Sequence, residues 1–228
     1  MPGRMLKAAI AVLALVLTAA ACGSDAKPVA GNTTIEAGGV AFNARTRQPS
    51  GPDSPLTVLF LHGGAYTSQI WADRGILDRV SEAGYRAVAV DLPGAGGTAS
   101  TDEDPADVLA ALVDELGSPG RVVLVSPSAS GRYSLALLAD PGDVRLAGFV
   151  AVAPVGISQF EPDLTEDLPA LLVWGEDDDV VPIDQAHRLE ALLPGSELIV
   201  IPAGSHAPYD DEPAAFTEAL LAFLTGLR

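Results

Sequence analysis

Val122-Val123-Leu124-Val125-Ser126-Pro127-Ser128-Ala129-Ser130-Gly131 carries a run of strand formers into a cluster of small residues, with a helical segment over Ser130–Ala139. A short apolar run without polar alternation fits a strand buried on both faces, as in a parallel sheet covered by helices. Small-x-Ser-x-small at such a strand end is the pattern of a nucleophile elbow. The sharp turn forces the serine into strained backbone geometry, so the residues two before and two after it must be small. Serines 126 and 130 stand where glycine is commoner, and a serine-rich loop that only caps the following helix is the competing reading. An elbow would aim the Ser128 hydroxyl into a cleft at a helix N-terminus, where free amides favour negative charge.

The flanking sequence repeats this alternation. Thr33–Ile35 and Val40–Arg45 are short strand candidates, and Leu56–Leu61, Ala87–Val90, Phe149–Ala153, Ala170–Trp174 and Leu198–Ile201 are apolar runs like the first. Helical segments are expected at Ile70–Ala83, Asp104–Gly117, Ile183–Leu193 and Pro213–Leu227. The clearest is the second: Asp104 caps it, Pro105 suits its first position, Val108, Leu109, Leu112, Val113 and Leu116 make one stripe, and Gly117 stops it. Strands alternating with helices predict an α/β fold with a doubly wound, mostly parallel sheet. Its ligands belong beyond the carboxyl ends of the strands.

Three further loops sit at such ends. The run Ala170–Trp174 leads into Gly175-Glu176-Asp177-Asp178-Asp179, where an acid would orient a histidine. Asp178, three after the glycine, has the usual spacing, although four consecutive acids leave the position open by one. Leu198–Ile201 leads into Pro202-Ala203-Gly204-Ser205-His206, completing the order Ser, Asp, His. Leu61-His62-Gly63-Gly64-Ala65 follows the first long strand, and its glycines let backbone approach a ligand closely. One amide there, from Gly64, would pair with that of Ala129 as an oxyanion hole. His62 precedes the glycines and reads as a brace for this loop, while His187 lies beside Arg188 in a helical segment and reads as exposed. Tyr66, Trp71, Tyr133, Phe160 and Tyr209 line the cleft or serve as ordinary packing.

With these residues in place the chain resembles the α/β-hydrolase superfamily, and within it the small, capless alpha/beta-hydrolase domain-containing protein 14 family. The resemblance runs from about Leu56 to the C-terminus, through Ala83-Gly84-Tyr85-Arg86-Ala87-Val88-Ala89-Val90-Asp91-Leu92-Pro93-Gly94, the elbow as far as Leu135, and Gly148-Phe149-Val150-Ala151-Val152-Ala153-Pro154. The serine-flanked elbow is similar to that family's own form. The resemblance implies Ser128 as nucleophile, Asp178 as acid, His206 as base, and activity on short acyl esters or acyl-lysine. The chemistry would be two-step acyl transfer with no metal or cofactor. A lid domain has only residues 154–169 to occupy, too few to build one. An open site suits a small acyl ester or an exposed acyl group.

The N-terminus departs from that family. Met1–Lys7 carries Arg4 and Lys7 without an acid, Ala8–Ala21 is small and apolar but for Thr18, and Cys22 follows three alanines. This resembles a bacterial lipoprotein signal over residues 1–22, with a lipid on Cys22 tying the protein to the membrane; cleavage after Ala21 and plain secretion is the alternative. Residues 23–31 then read as a tether and 32–228 as the hydrolase domain. Outside the cytoplasm, water rather than coenzyme A would accept the acyl group. With 30 acidic against 13 basic side chains and a net charge of −17, the chain lacks the basic face that nucleic acid requires. One cysteine excludes an internal disulfide, and 228 residues fit a single domain. The rival functions are an amide or acyl-lysine deacylase and a catalytically silent surface binding module.

Overall fold

The computed structural model describes residues 30–50, 54–117, 121–162 and 168–227. The signal and lipidation readings, Cys22 included, lie outside these residues, as does residues 23–29 of the tether. Ala30 and Gly31, at the tether's end, already pair with Arg47 and Thr46.

Eight strands form one sheet: β1 Ala30–Ala37, β2 Val40–Arg47, β3 Thr57–Phe60, β4 Arg86–Val90, β5 Val122–Pro127, β6 Gly148–Val152, β7 Ala170–Gly175 and β8 Glu197–Ile201. Their order is β1-β2-β4-β3-β5-β6-β7-β8. The β1–β2 hairpin turns on Gly38-Gly39 and joins β4 antiparallel, whereas the remaining pairs are parallel. The mostly parallel doubly wound sheet expected from the apolar runs is therefore present.

The reason those runs lack alternation is visible in the core. Val58, Phe60, Val123 and Val125 face a layer with Trp71, Ile76, Leu77, Phe216 and Leu220. Their strand neighbours Leu59, Leu61, Val122 and Leu124 face the opposite layer with Val108, Leu112, Leu138 and Leu189. Each face is covered by helices: α1 Gln69–Asp73, α2 Ile76–Glu82 and α7 Pro213–Gly226 on one side, α3 Pro105–Leu116, α4 Gly131–Ala139 and α5 Ile183–Leu192 on the other. Asp104 caps α3 by accepting from the Ala106 amide at 2.8 Å, and Gly117 ends it with φ 128°.

Two local expectations change. The single helix over Ile70–Ala83 is broken into α1 and α2 because Gly75 adopts φ 69°, a left-handed conformation that ends one helix and restarts the next. A short helix α6, Pro208–Asp211, follows the His206 loop and had no periodicity to announce it. Between β6 and β7 the described residues form only a single 3-10 turn, Ile157–Gln159, with no lid over the strand ends.

Candidate active site

Ser128 lies directly after β5, with φ 49° in a region that L-residues avoid. Such strain costs of order 1–3 kcal/mol and persists only where the surroundings impose it. Space imposes part of it: a Cβ on Gly131 would meet the Val155 carbonyl at 2.4 Å, so the start of α4 presses on the loop after β6. The Val155 amide donates to the Ser128 carbonyl at 3.0 Å and pins the turn from the same side.

Hydroxyls impose the rest. Ser130 Oγ donates to the Pro127 carbonyl at 2.7 Å, which uses its one proton. Ser126, 2.9 Å away, must therefore donate to Ser130, and Ser134, 2.7 Å from Ser126, must donate to Ser126. A directed relay, Ser134 to Ser126 to Ser130 to the Pro127 carbonyl, is thus sealed beneath the elbow, with all three serines fully buried. The sequence reading treated 126 and 130 as merely small and missed Ser134. The signal was there: positions 126, 130 and 134 recur every fourth residue, and the last two share one helical face.

Loops after β7 and β8 supply the other groups. The Val180 and Val181 amides each donate to Asp178 Oδ1 at 2.9 Å, leaving Oδ2 to accept from His206 Nδ1 at 2.9 Å. With Nδ1 donating, Nε2 is the acceptor, and it lies 2.7 Å from Ser128 Oγ. Among the four consecutive acids, Asp178 is the one joined to His206, and its side chain is only 1% exposed. The two loops meet because Gly175 has no side chain: a Cβ there would fall 2.0 Å from the Ser205 carbonyl.

The glycine loop after β3 closes the remaining side. A Cβ on Gly64 would approach the Ala129 methyl to 3.4 Å, so this loop touches the residue after Ser128. His62 holds it there, with Nδ1 donating to the Gly63 carbonyl at 2.9 Å and Nε2 accepting from the Leu92 amide at 3.0 Å. Burial lowers the His62 pKa, against smaller opposing effects of the Gly63 hydrogen bond and Asp91. His187 is exposed, as its position beside Arg188 suggests.

Of the five aromatics, Trp71, Tyr133, Phe160 and Tyr209 are buried packing residues. Trp71 and Tyr209 stack within 4.6 Å between centroids. Tyr66 is half-buried and donates to Asp210 at 3.0 Å; burial, and then the Asp210 carboxylate, push its phenol up to about 12. Asp91 is a buried anchor that nothing in the sequence singled out. It accepts from the Ser68 amide and hydroxyl, Asn43 and the Gly97 amide at 2.6–2.9 Å. Burial works to raise its carboxyl, but these bonds outweigh it and hold the pKa below the ordinary value.

A buried parallel sheet with a strained serine turn, a histidine and an acid at consecutive loop ends defines the α/β-hydrolase class. The alpha/beta hydrolase family matches residues 58–165. Human ABHD14B, named provisionally for protein-lysine deacylation, is 37% identical over 206 residues, covering 86% of this chain and 95% of that one. Human ABHD14A is 35% identical, covering 86% and 75%. The crystal structure of a predicted CIB-like hydrolase from Thermoplasma acidophilum superposes with a TM-score of 0.77 at 25% identity, covering 87% of this chain and 99% of that one. The chain belongs to the ABHD14 family of α/β hydrolases and is accordingly a hydrolase.

Proposed function

We propose that this hydrolase cleaves short-chain acyl esters through an acyl-enzyme on Ser128. The observation that carries the reading is the continuous chain from Asp178 Oδ2 to His206 Nδ1 at 2.9 Å and from His206 Nε2 to Ser128 Oγ at 2.7 Å. His206 takes the hydroxyl proton as Oγ bonds to the acyl carbon, while Asp178 holds the tautomer that leaves Nε2 free to accept it. The amides of Gly64 and Ala129 receive the developing oxyanion. Cleavage of the ester C–O bond passes that proton to the departing alcohol. Water then adds with His206 as base, and release of the carboxylic acid restores Ser128.

Purified protein should hydrolyse acetyl and butyryl esters and label with a serine-directed fluorophosphonate, and Ser128→Ala should abolish both. Labelling that persists in Ser128→Ala would favour the silent binding module. A second reading, removal of acyl groups from lysine, is supported by the 37% identity to a relative named for that activity. Parallel rates on an acetyl ester and an acetyl-lysine peptide decide between them.

The same reading makes Met1–Ala21 an export signal and Cys22 a lipid attachment site, supported by Arg4 and Lys7 ahead of an apolar run that ends in small residues. Cys22→Ala is expected to move the protein from the membrane pellet to the soluble fraction.

A further inference from the structure

Tyr209 is 1% exposed, yet the two ends of its side chain are in different situations. The ring is packed, with centroids 4.6 Å from Trp71, 5.7 Å from Tyr66 and 6.1 Å from Phe216, which fixes where the hydroxyl points. The hydroxyl itself bonds to no described residue. Tyr66 beside it donates to Asp210, and Tyr133 accepts from Arg132, but the Tyr209 oxygen has neither kind of partner. Nor is it sealed in the core, as the unpartnered Arg86 Nε and Ser196 Oγ are. A polar atom that the fold leaves unpaired on a nearly buried side chain calls for a reason.

Its surroundings supply one. A Cβ on Gly63 would meet the Tyr209 oxygen at 3.1 Å and the Ser128 Cβ at 3.7 Å, so the phenol and the nucleophile border the same small space. Gly63 immediately precedes Gly64, where a Cβ would touch the Ala129 methyl at 3.4 Å. The unpaired hydroxyl therefore stands at the glycine loop, the part of the site assigned to the substrate's carbonyl oxygen. Burial, and then the neighbouring Tyr66, Asp210 and Asp211, push the phenol's pKa up, so it keeps its proton to donate. Resting on the reading of Ser128 as nucleophile, we infer that the Tyr209 hydroxyl is a third oxyanion donor, beside the amides of Gly64 and Ala129. As Oγ bonds to the acyl carbon and its proton passes to His206, the C=O π pair moves onto oxygen. Tyr209 donates a hydrogen bond to that oxygen without releasing its proton, and the bond weakens again when the carbonyl re-forms.

The test is Tyr209→Phe, which keeps the ring and removes only the oxygen. No protein group loses a partner, so Tm should stay at the wild-type value or rise. Rates are taken per serine titrated to completion with fluorophosphonate, so unfolded molecules do not count. On an acetyl ester, kcat and kcat/KM should fall together by about 10–100-fold, with KM within about 2-fold of wild type. An alkyl trifluoromethyl ketone, whose carbonyl accepts Ser128 Oγ to give a tetrahedral oxyanion, should bind more weakly by a similar factor. A purely structural tyrosine would move neither quantity. A kcat within about 2-fold of wild type, a change confined to KM, or unaltered ketone affinity overturns the donor role. Labelling and activity that persist in Ser128→Ala overturn the nucleophile reading itself, a separate outcome.

Discussion

Two histidines occupy equivalent places, each on a loop leaving the carboxyl end of a parallel strand, and they differ in what holds them. His62, 4% exposed, binds backbone with both nitrogens, joining its own loop to Leu92. His206, 19% exposed, binds two side chains, one an acid fixed by amides and the other a strained serine. A ring whose partners are main-chain groups cannot exchange a proton without breaking the loop it supports. A ring between a carboxylate and a hydroxyl can move one with no change in the backbone. Residue type and loop position are alike, so the partners alone separate the two rings.

The sharpest way to break this comparison is His206→Ala. Turnover should fall by about 10⁴–10⁶-fold, while thermal unfolding stays close to wild type. A variant keeping a tenth of the activity on the ester panel would end the distinction. Asp178→Asn should lower kcat by about 10⁴-fold through loss of the correct tautomer, again with little change in Tm.

His62→Ala should invert the pattern. It leaves the buried Leu92 amide without its acceptor and opens a cavity, a loss of about 2–3 kcal/mol by denaturant titration, with activity per folded molecule far less affected. The same residue sharpens the comparison through pH. The unfolded imidazole titrates near ~6.5, and burial holds the folded one lower. The unfolded chain therefore takes up the proton first, so the His62 contribution is complete above about 6.5 and is lost as pH falls through the lowered value. Between those limits Tm should drop more steeply in wild type than in His62→Gln, and parallel curves would contradict it.

The smallest effect is expected at the elbow's support. Ser134→Ala removes the first donor of the relay and should cost about 1 kcal/mol, a Tm decrease of roughly 2–4 °C. Ser126→Ala cuts the relay in the middle and should cost more, and equal losses would show that the three hydroxyls do not act in series.

Much of this architecture was legible from local chemistry. The runs at β3, β5, β6 and β7 are apolar throughout because both sheet faces are covered, and Asp104, Pro105 and Gly117 bound α3 through bonds to immediate neighbours. Ser128, Asp178 and His206 could be proposed because each stands at a strand end in a characteristic order. The break of the Ile70–Ala83 segment at Gly75 is not legible in the sequence, since nothing local distinguishes a glycine tolerated within a helix from one at φ 69°. Asp91 passed unnoticed because its partners come from positions 43, 68 and 97, which no periodicity connects.

Sequence alone determined the strand-and-helix alternation, the serine turn and the candidate groups on each loop, since these rest on interactions between near neighbours. Tertiary structure decided which of four acids meets the imidazole, and which histidine binds backbone with both nitrogens and which lies between a carboxylate and a hydroxyl. Those outcomes depend on approaches between distant segments, such as Gly175 against Ser205 and Gly131 against Val155. Side-chain volume and backbone path settle such contacts together, and the path exists only once the sheet has formed.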